Sequence, residues 1–149
     1  MCHLQVHHLD PERNILHIVN SKENKSRFVL IPDFLISALQ EYDQRTGITS
    51  GYMLRQLRDP EYPLTSNTVK MIFQDLKIST GIDRIHAHLL RHTFAISYLI
   101  GGGNLEFLRV FLGHYDYAAT KTYVAMAAQM KLLGAPVYQL DPIFFQRGY

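Results

Sequence analysis

The segment His88-Leu89-Leu90-Arg91-His92-Thr93 is followed along the chain by Leu112-Gly113-His114 and then by Thr120-Lys121-Thr122-Tyr123. His114 lies 26 residues after His88, and Tyr123 lies nine residues after His114. On a helix, His88 and Arg91 would project from the same face because they are three residues apart. These segments therefore bring together a phenol, a guanidinium and two imidazoles as candidate chemical groups.

Apolar residues recur at helical spacing around these segments. The pattern predicts a helix from about residue 88 to residue 100, stopped by Gly101-Gly102-Gly103. A short helix follows, with Asn104 as its cap and Gly113 as its terminator. The last predicted helix runs from about residue 118 to residue 133 and contains Tyr123.

The first part of the chain contains two runs rich in β-branched and apolar residues, at positions 15–19 and 27–31. They flank the polar segment 20–26, and this order predicts a β-hairpin with a polar tip. The segment 4–11 is polar and ends in a turn-like sequence, so we expect it to be irregular.

Two more helices are predicted between the hairpin and His88. Asp33 is expected to cap the first of them, and Thr65 or Ser66 the second. The predicted fold class is therefore α+β and predominantly helical, with a small antiparallel hairpin or sheet.

Composition limits the class of protein. The chain has 149 residues, of which 47% are apolar and 19% are charged, as expected of one globular domain. Cys2 is the single cysteine, so an internal disulfide cannot form, and we expect a cytoplasmic location. The net charge of +2 permits a nucleic-acid partner without requiring one.

Each candidate residue is weak evidence when it is taken alone. The chain has nine tyrosines, and Tyr115 and Tyr117 are close rivals of Tyr123. A phenol has an ordinary pKa of about 10, so it attacks only where a site stabilises the phenolate or takes its proton. His92 competes with His88 in the same way, because it lies four residues later on the same helical face.

The motifs taken together resemble the catalytic domain of the tyrosine recombinases, the phage integrase family. The hairpin Ser21-Lys22-Glu23-Asn24-Lys25-Ser26-Arg27 is similar to the family's Gly-Lys-Gly-Asn-Lys-Glu-Arg. The segment from His88 to His92 matches its His-x-x-Arg box with the usual following histidine, and Leu112-Gly113-His114 matches its Leu-Gly-His box. Tyr123 stands at the family's usual distance beyond that histidine.

The resemblance implies a mechanism of strand cleavage and rejoining. Tyr123 would attack the scissile phosphate to give a 3′-phosphotyrosine and a free 5′-hydroxyl, and Arg91 would bind the nonbridging oxygens. Lys22 would be the general acid for the leaving oxygen. His88 would assist proton transfer at the tyrosine, and His114 would hydrogen-bond the phosphate. Neither ATP nor a divalent metal is required by this chemistry.

The resemblance also implies the partners. We expect double-stranded DNA at a recombination site, contacts from Lys25 and Arg27 to that DNA, and self-association into a tetrameric synapse. No membrane partner is expected. The implied function is site-specific DNA recombination or integration by a mobile element.

One expected feature of the family falls outside the sequence. The family's first arginine lies in an Arg-x-x-Glu-Leu box just before a segment like 4–9, which would place that box upstream of Met1. Residues 1–149 are therefore expected to be a C-terminal catalytic domain without the first arginine and without the N-terminal DNA-clamp domain. We expect such a chain to bind DNA weakly and to be poorly active or inactive.

Two alternatives remain open at this level. The predicted helices on either side of the triple glycine superficially resemble a helix-turn-helix, which would make the chain a DNA-binding module without chemistry. A metal-dependent hydrolase is the second alternative, because several histidines precede Arg91, although their spacing does not match a known zinc helix.

Overall fold

The structure is a computed structural model that describes residues 3–20, 25–56, 58–135, 139–140 and 142–146. The chain divides into two compact units, Met1–Leu76 and Lys77–Tyr149. The boundary lies within one helix, α2 (Ser66–Thr80).

The first unit contains a three-stranded antiparallel sheet. Its strands β1 (Leu9–Asp10), β2 (Ile15–Asn20) and β3 (Lys25–Leu30) lie in the order β1-β2-β3. Ile15 pairs with Leu30 and Asn20 pairs with Lys25, so the predicted hairpin is confirmed. The prediction that residues 4–11 are irregular is wrong in part, because backbone pairing with β2 makes a short strand of β1 and a 3-10 helix precedes it.

Helix α1 (Asp33–Thr46) follows the sheet, and its start corrects the predicted cap. Pro32 occupies the N-cap in extended conformation, and Asp33 is the first helical residue. Asp33 instead accepts a hydrogen bond from the Asn14 amide. The core of this unit is apolar and joins the sheet to α1 through Leu16, Ile31, Ile36 and Met53.

The second unit is helical. After α2 come α3 (Ala87–Ile100), α4 (Leu105–Leu112), α5 (Tyr117–Leu132) and α6 (Ile143–Gln146). Side chains cap the three longer helices: His86 accepts from Leu89 N–H, Asn104 from Phe107 N–H, and Asp116 from Ala118 and Ala119 N–H. The predicted Asn104 cap is confirmed. Gly113 ends α4 in the left-handed region at φ 71°, a conformation that glycine adopts without strain.

Aromatic rings pack the second unit together. Phe94 on α3 stacks on Phe111 of α4 with 4.8 Å between ring centroids, and Phe144 of α6 meets Phe94 edge-on at 5.2 Å. Leu108 of α4 is fully buried in the same unit. The predicted fold class is confirmed, since helices predominate and the sheet is small and antiparallel.

The link between α3 and α4 is made of three glycines, and Gly103 has the least space. A Cβ atom at this position would lie 2.2 Å from the Tyr98 ring, closer than any side chain allows. The Tyr98 hydroxyl in turn accepts a hydrogen bond of 3.1 Å from the Asn104 N–H. This close approach fixes where α4 begins relative to the end of α3.

Within the described residues, the helices are too short or too polar to cross a membrane.

Candidate active site

Tyr123 lies on α5 with its ring in the interior of the second unit. Only 5% of the residue is exposed. Its hydroxyl oxygen is 2.7 Å from Nδ1 of His92, and the two ring centroids are 5.4 Å apart. The His114 ring lies parallel to the Tyr123 ring, with an interplanar angle of 5° and 6.1 Å between centroids. Both imidazoles therefore contact the phenol that the sequence predicts to be the nucleophile.

His114 follows the glycine that ends α4, and two contacts set its position. Its backbone N–H donates to the Arg109 carbonyl at 3.0 Å. Its Nδ1 lies 2.9 Å from the Thr120 hydroxyl oxygen, and Thr120 is fully buried. Thr120 and Tyr123 are three residues apart on α5, so one face of this helix holds both the His114 side chain and the phenol.

Arg91 connects α3 to the end of α4. Its Nη2 donates a hydrogen bond of 2.5 Å to the Leu112 carbonyl, and the side chain is half-buried. The last carbonyls of a helix have no partner within the helix and carry partial negative charge, so a cation there is stabilised. This bond holds the guanidinium beside the Leu112-Gly113-His114 segment.

His88 lies one turn before His92 on α3 and is exposed. The two imidazoles stack, with 6.2 Å between centroids and an interplanar angle of 28°. Of these two histidines it is His92 that makes the hydrogen bond to the phenol. The sequence prediction gave a catalytic role to His88 and none to His92. Its spacing of four residues from His88 was the available signal, and it could not show which ring points toward α5.

A second cluster surrounds the turn between α4 and α5. The Arg109 guanidinium is paired with Glu106 at 2.5 Å and donates to the carbonyls of His114 at 3.1 Å and Tyr115 at 3.4 Å. It also lies over the Tyr117 ring, whose hydroxyl donates to the Glu106 carboxylate. Arg109 thereby positions the backbone that carries His114.

These contacts shift the pKa values of the cluster. Hydrogen bonds from Arg109 and Tyr117 lower the pKa of Glu106 to about 2. The hydrogen bond that Tyr117 donates to this carboxylate raises the pKa of the phenol, because the bond stabilises the protonated form. Helix α4 would be the second helix of the helix-turn-helix alternative, and its charged side chains Glu106 and Arg109 are both engaged within the unit.

The remaining predicted residues belong to the other unit. Lys22 lies outside the described residues. Lys25 and Arg27 are on β3, where Arg27 is half-buried. Among the described residues, no three His, Cys, Asp or Glu side chains are grouped so as to hold a metal ion, which gives the hydrolase alternative no support.

The chain was compared with known proteins. A sequence profile described as Phage integrase family matches residues 1–130. The tyrosine recombinase XerA of Thermococcus onnurineus (strain NA1) is 28% identical over 130 residues, which is 87% of this chain and 46% of the relative. This chain thus spans about half the length of that protein.

Solved structures show the same fold. A crystal structure of XerA recombinase superposes with a TM-score of 0.75 at 28% identity, covering 92% of this chain and 52% of that one. The XerH site-specific recombinase, bound to a palindromic difH substrate in a post-cleavage complex, gives a TM-score of 0.74 at 19% identity over 89% of this chain and 39% of its own. With the profile covering most of its length, the chain belongs to the phage integrase family.

Proposed function

We propose that this chain acts in site-specific DNA recombination or integration, cleaving and rejoining a DNA strand through a 3′-phosphotyrosine at Tyr123. The observation that carries the proposal is the placement of this phenol 2.7 Å from an imidazole nitrogen and parallel to a second imidazole. The chain spans about half the length of its relative, so the activity of a complete recombinase is proposed for this chain and does not follow from the sequence match.

Arg91 and His114 are proposed to bind the scissile phosphate. A guanidinium has five N–H groups, and the bond to Leu112 uses one of them. If the Thr120 hydroxyl donates to Nδ1 of His114, the imidazole hydrogen is on Nε2, the nitrogen suited to donate to a phosphate oxygen. Donors held in this way stabilise the charge that develops on the phosphorane without reorganising.

The other roles follow the family resemblance. Lys22 is proposed as the acid that protonates the leaving 5′-oxygen, and His88 as an aid to proton transfer at the tyrosine. Lys25 and Arg27 on the neighbouring strand are proposed to contact the DNA backbone. The bond energy stays in the phosphotyrosine, so the proposed reaction uses neither ATP nor a divalent metal.

The proposed partner is double-stranded DNA at a recombination site, with four copies assembled in a synapse. The XerH complex, with its DNA in a post-cleavage state, supports this choice for a chain of the same fold. We propose that residues 1–149 act as a catalytic domain. The first arginine and the DNA clamp that the resemblance implies would then have to come from outside these residues.

The test uses nicked suicide duplexes, in which the cleaved end diffuses away and cannot be rejoined. A denaturing gel should show a protein–DNA adduct, and peptide mapping should place the DNA on Tyr123. The yield should be the same with EDTA, whereas a metal-dependent hydrolase would be inhibited and would leave no adduct.

A gel shift in parallel separates binding from chemistry. Binding should weaken steeply between about 50 and about 200 mM salt, because phosphate contacts release counterions. A shift without any adduct, even after a segment carrying the family's first arginine is restored upstream, would show a DNA-binding module and would overturn the proposed reaction.

A further inference from the structure

The Tyr123 hydroxyl has a basic nitrogen within hydrogen-bond reach. Nδ1 of His92 lies 2.7 Å from the phenol oxygen, with the rings tilted by 50°. A general base has to come within about 2.6–3.2 Å of the group whose proton it takes. The contact is inside that range before any DNA is bound.

The surroundings favour one direction for this hydrogen bond. The phenol is 5% exposed, so protein groups have to satisfy its hydroxyl in place of water. A neutral imidazole with its hydrogen on Nε2 offers Nδ1 as an acceptor, and the phenol O–H can then donate to it. This tautomer is the one in which His92 can receive a proton from Tyr123.

We propose that His92 is a further catalytic residue, the proton acceptor for Tyr123. This inference rests on the proposed function. In the cleavage step a lone pair of the Tyr123 oxygen forms the bond to phosphorus, and its proton passes to Nδ1 of His92. The bond from phosphorus to the 5′-oxygen breaks, and that oxygen takes a proton from the general acid. In rejoining, the His92 imidazolium returns the proton to the departing phenolate.

His88 takes a different place in this scheme. The family resemblance gives it the role of assisting proton transfer, but its ring lies against His92, with 6.2 Å between centroids, and it is exposed. A charge formed on His92 would therefore be felt by His88, and both residues are exposed. His88 assists the proton transfer indirectly, through its contact with His92, whereas His92 itself contacts the Tyr123 oxygen.

The first test is the tautomer of His92, read from ¹⁵N chemical shifts in the 149-residue chain labelled at histidine. We expect Nδ1 to be unprotonated and Nε2 to carry the hydrogen, and the Nδ1 resonance should move in Tyr123→Phe. His88→Ala is the control, because removing a stacked neighbour should leave the tautomer unchanged. A His92 ring with its hydrogen on Nδ1 would overturn the proposal.

The second test measures adduct formation on duplexes of random sequence that carry one 5′-bridging phosphorothiolate. The thiolate leaving group needs no acid and rejoins poorly, so a slow cleavage still accumulates. We expect His92→Ala to form adduct about 100- to 10,000-fold more slowly than the unmodified chain, as is typical for loss of a general base. Lys22→Ala, which lacks the proposed acid, should cleave this substrate at close to the unmodified rate.

His92→Asn separates proton transfer from positioning. An asparagine oxygen reaches about as far as Nδ1 and can accept the hydrogen bond, but it cannot take the proton. We expect it to be as slow as His92→Ala, and a normal rate would overturn the proposal. If the unmodified chain forms adduct and His92→Ala does so equally fast, the His92 role fails alone. If the unmodified chain forms none even with the family's first arginine restored upstream, the proposed function fails as well.

Discussion

Helix α5 carries two tyrosines whose hydroxyl groups contact a side chain of another helix, Tyr117 at its first residue and Tyr123 near its middle, and they differ in the partner group. At the start of the helix the Tyr117 hydroxyl donates to the Glu106 carboxylate, which raises the pKa of this phenol. Two turns later the Tyr123 hydroxyl lies against an imidazole nitrogen. A carboxylate disfavours a phenolate beside it, whereas an imidazole can take the proton and then attract the phenolate as a cation.

Exposure alone would favour a different tyrosine from the one proposed as nucleophile. Tyr115 is 85% exposed and Tyr117 is 46% exposed, while Tyr123 is 5% exposed. A phenol that donates to a carboxylate, as Tyr117 does, ionises less readily and is a weaker nucleophile near neutral pH. The neighbouring group, and not accessibility, therefore distinguishes the candidate nucleophile from Tyr117.

Removing each phenol in turn tests which tyrosine forms the covalent bond to DNA, and it should give the largest effect. Tyr123→Phe should abolish the covalent DNA adduct, because no oxygen remains to attack phosphorus. Tyr117→Phe and Tyr115→Phe should form adduct at rates within a few-fold of the unmodified chain. The readout is a denaturing gel on suicide duplexes. An adduct from Tyr123→Phe would show that the nucleophile has been misassigned.

The next largest effect is expected on the α3 side of the site, where His92 has to be held. Gly103→Ala would place a Cβ 2.2 Å from the Tyr98 ring, and overpacking of this kind typically costs about 1–3 kcal/mol. Urea unfolding followed by circular dichroism should show the loss. Gly102→Ala is the matched control, since its Cβ would meet nothing within 4 Å and only the positive φ of 88° opposes it. Equal losses at both positions would contradict the steric account.

A smaller effect is expected from Arg109, which ties the Tyr117 end of α5 to His114. Arg109→Gln removes the bonds to Glu106 and to the carbonyls of His114 and Tyr115, and should lower the free energy of unfolding. Arg45→Gln is the control, because the Arg45–Glu41 pair is exposed on both sides and such pairs contribute about 0.3–0.5 kcal/mol. If the urea midpoints of Arg109→Gln and Arg45→Gln were the same, Arg109 would not position the backbone that carries His114.

The smallest effect concerns the titration of the Glu106 cluster. In the folded chain the pKa of Glu106 is about 2, below its ordinary 4.5, so its contribution to stability is present above pH 4.5 and is lost as pH falls toward 2. The contribution is modest because the side chain is 47% exposed. Thermal melts of Glu106→Gln and the unmodified chain should converge over this window.

The variant Glu106→Gln also tests what raises the pKa of Tyr117. Without the carboxylate, the pKa of Tyr117 should fall back toward its ordinary value, and ¹³C-tyrosine NMR can follow it. A raised pKa that persists in Glu106→Gln would show that another group causes the shift.

Much of the second unit could be predicted from local sequence. Asn104 caps α4 and Gly113 ends it because a short polar side chain and a residue without Cβ satisfy the two ends of a helix. The first unit was less predictable, since β1 is a strand only through its pairing with β2, and Pro32 rather than Asp33 is the N-cap of α1.

The elements that carry the candidate residues were more predictable than the contacts between those residues. The spacings place Arg91, His114 and Tyr123 on the right elements, but His88 and His92 share one helical face, and only the packing of α3 on α5 selects His92 for the phenol. The hydrogen bond from Tyr117 to Glu106 could not be predicted from the sequence either, because the two residues belong to different helices.

The contact between Gly103 and Tyr98 also constrains how this sequence can change over generations. The Tyr98 ring occupies the space that a side chain at position 103 would need, while its hydroxyl holds the Asn104 N–H. A larger residue at 103 becomes acceptable only after position 98 has become smaller, and that first step removes the hydrogen bond. The order of substitution is therefore fixed, and we expect the two positions to vary together or not at all among descendants of this chain.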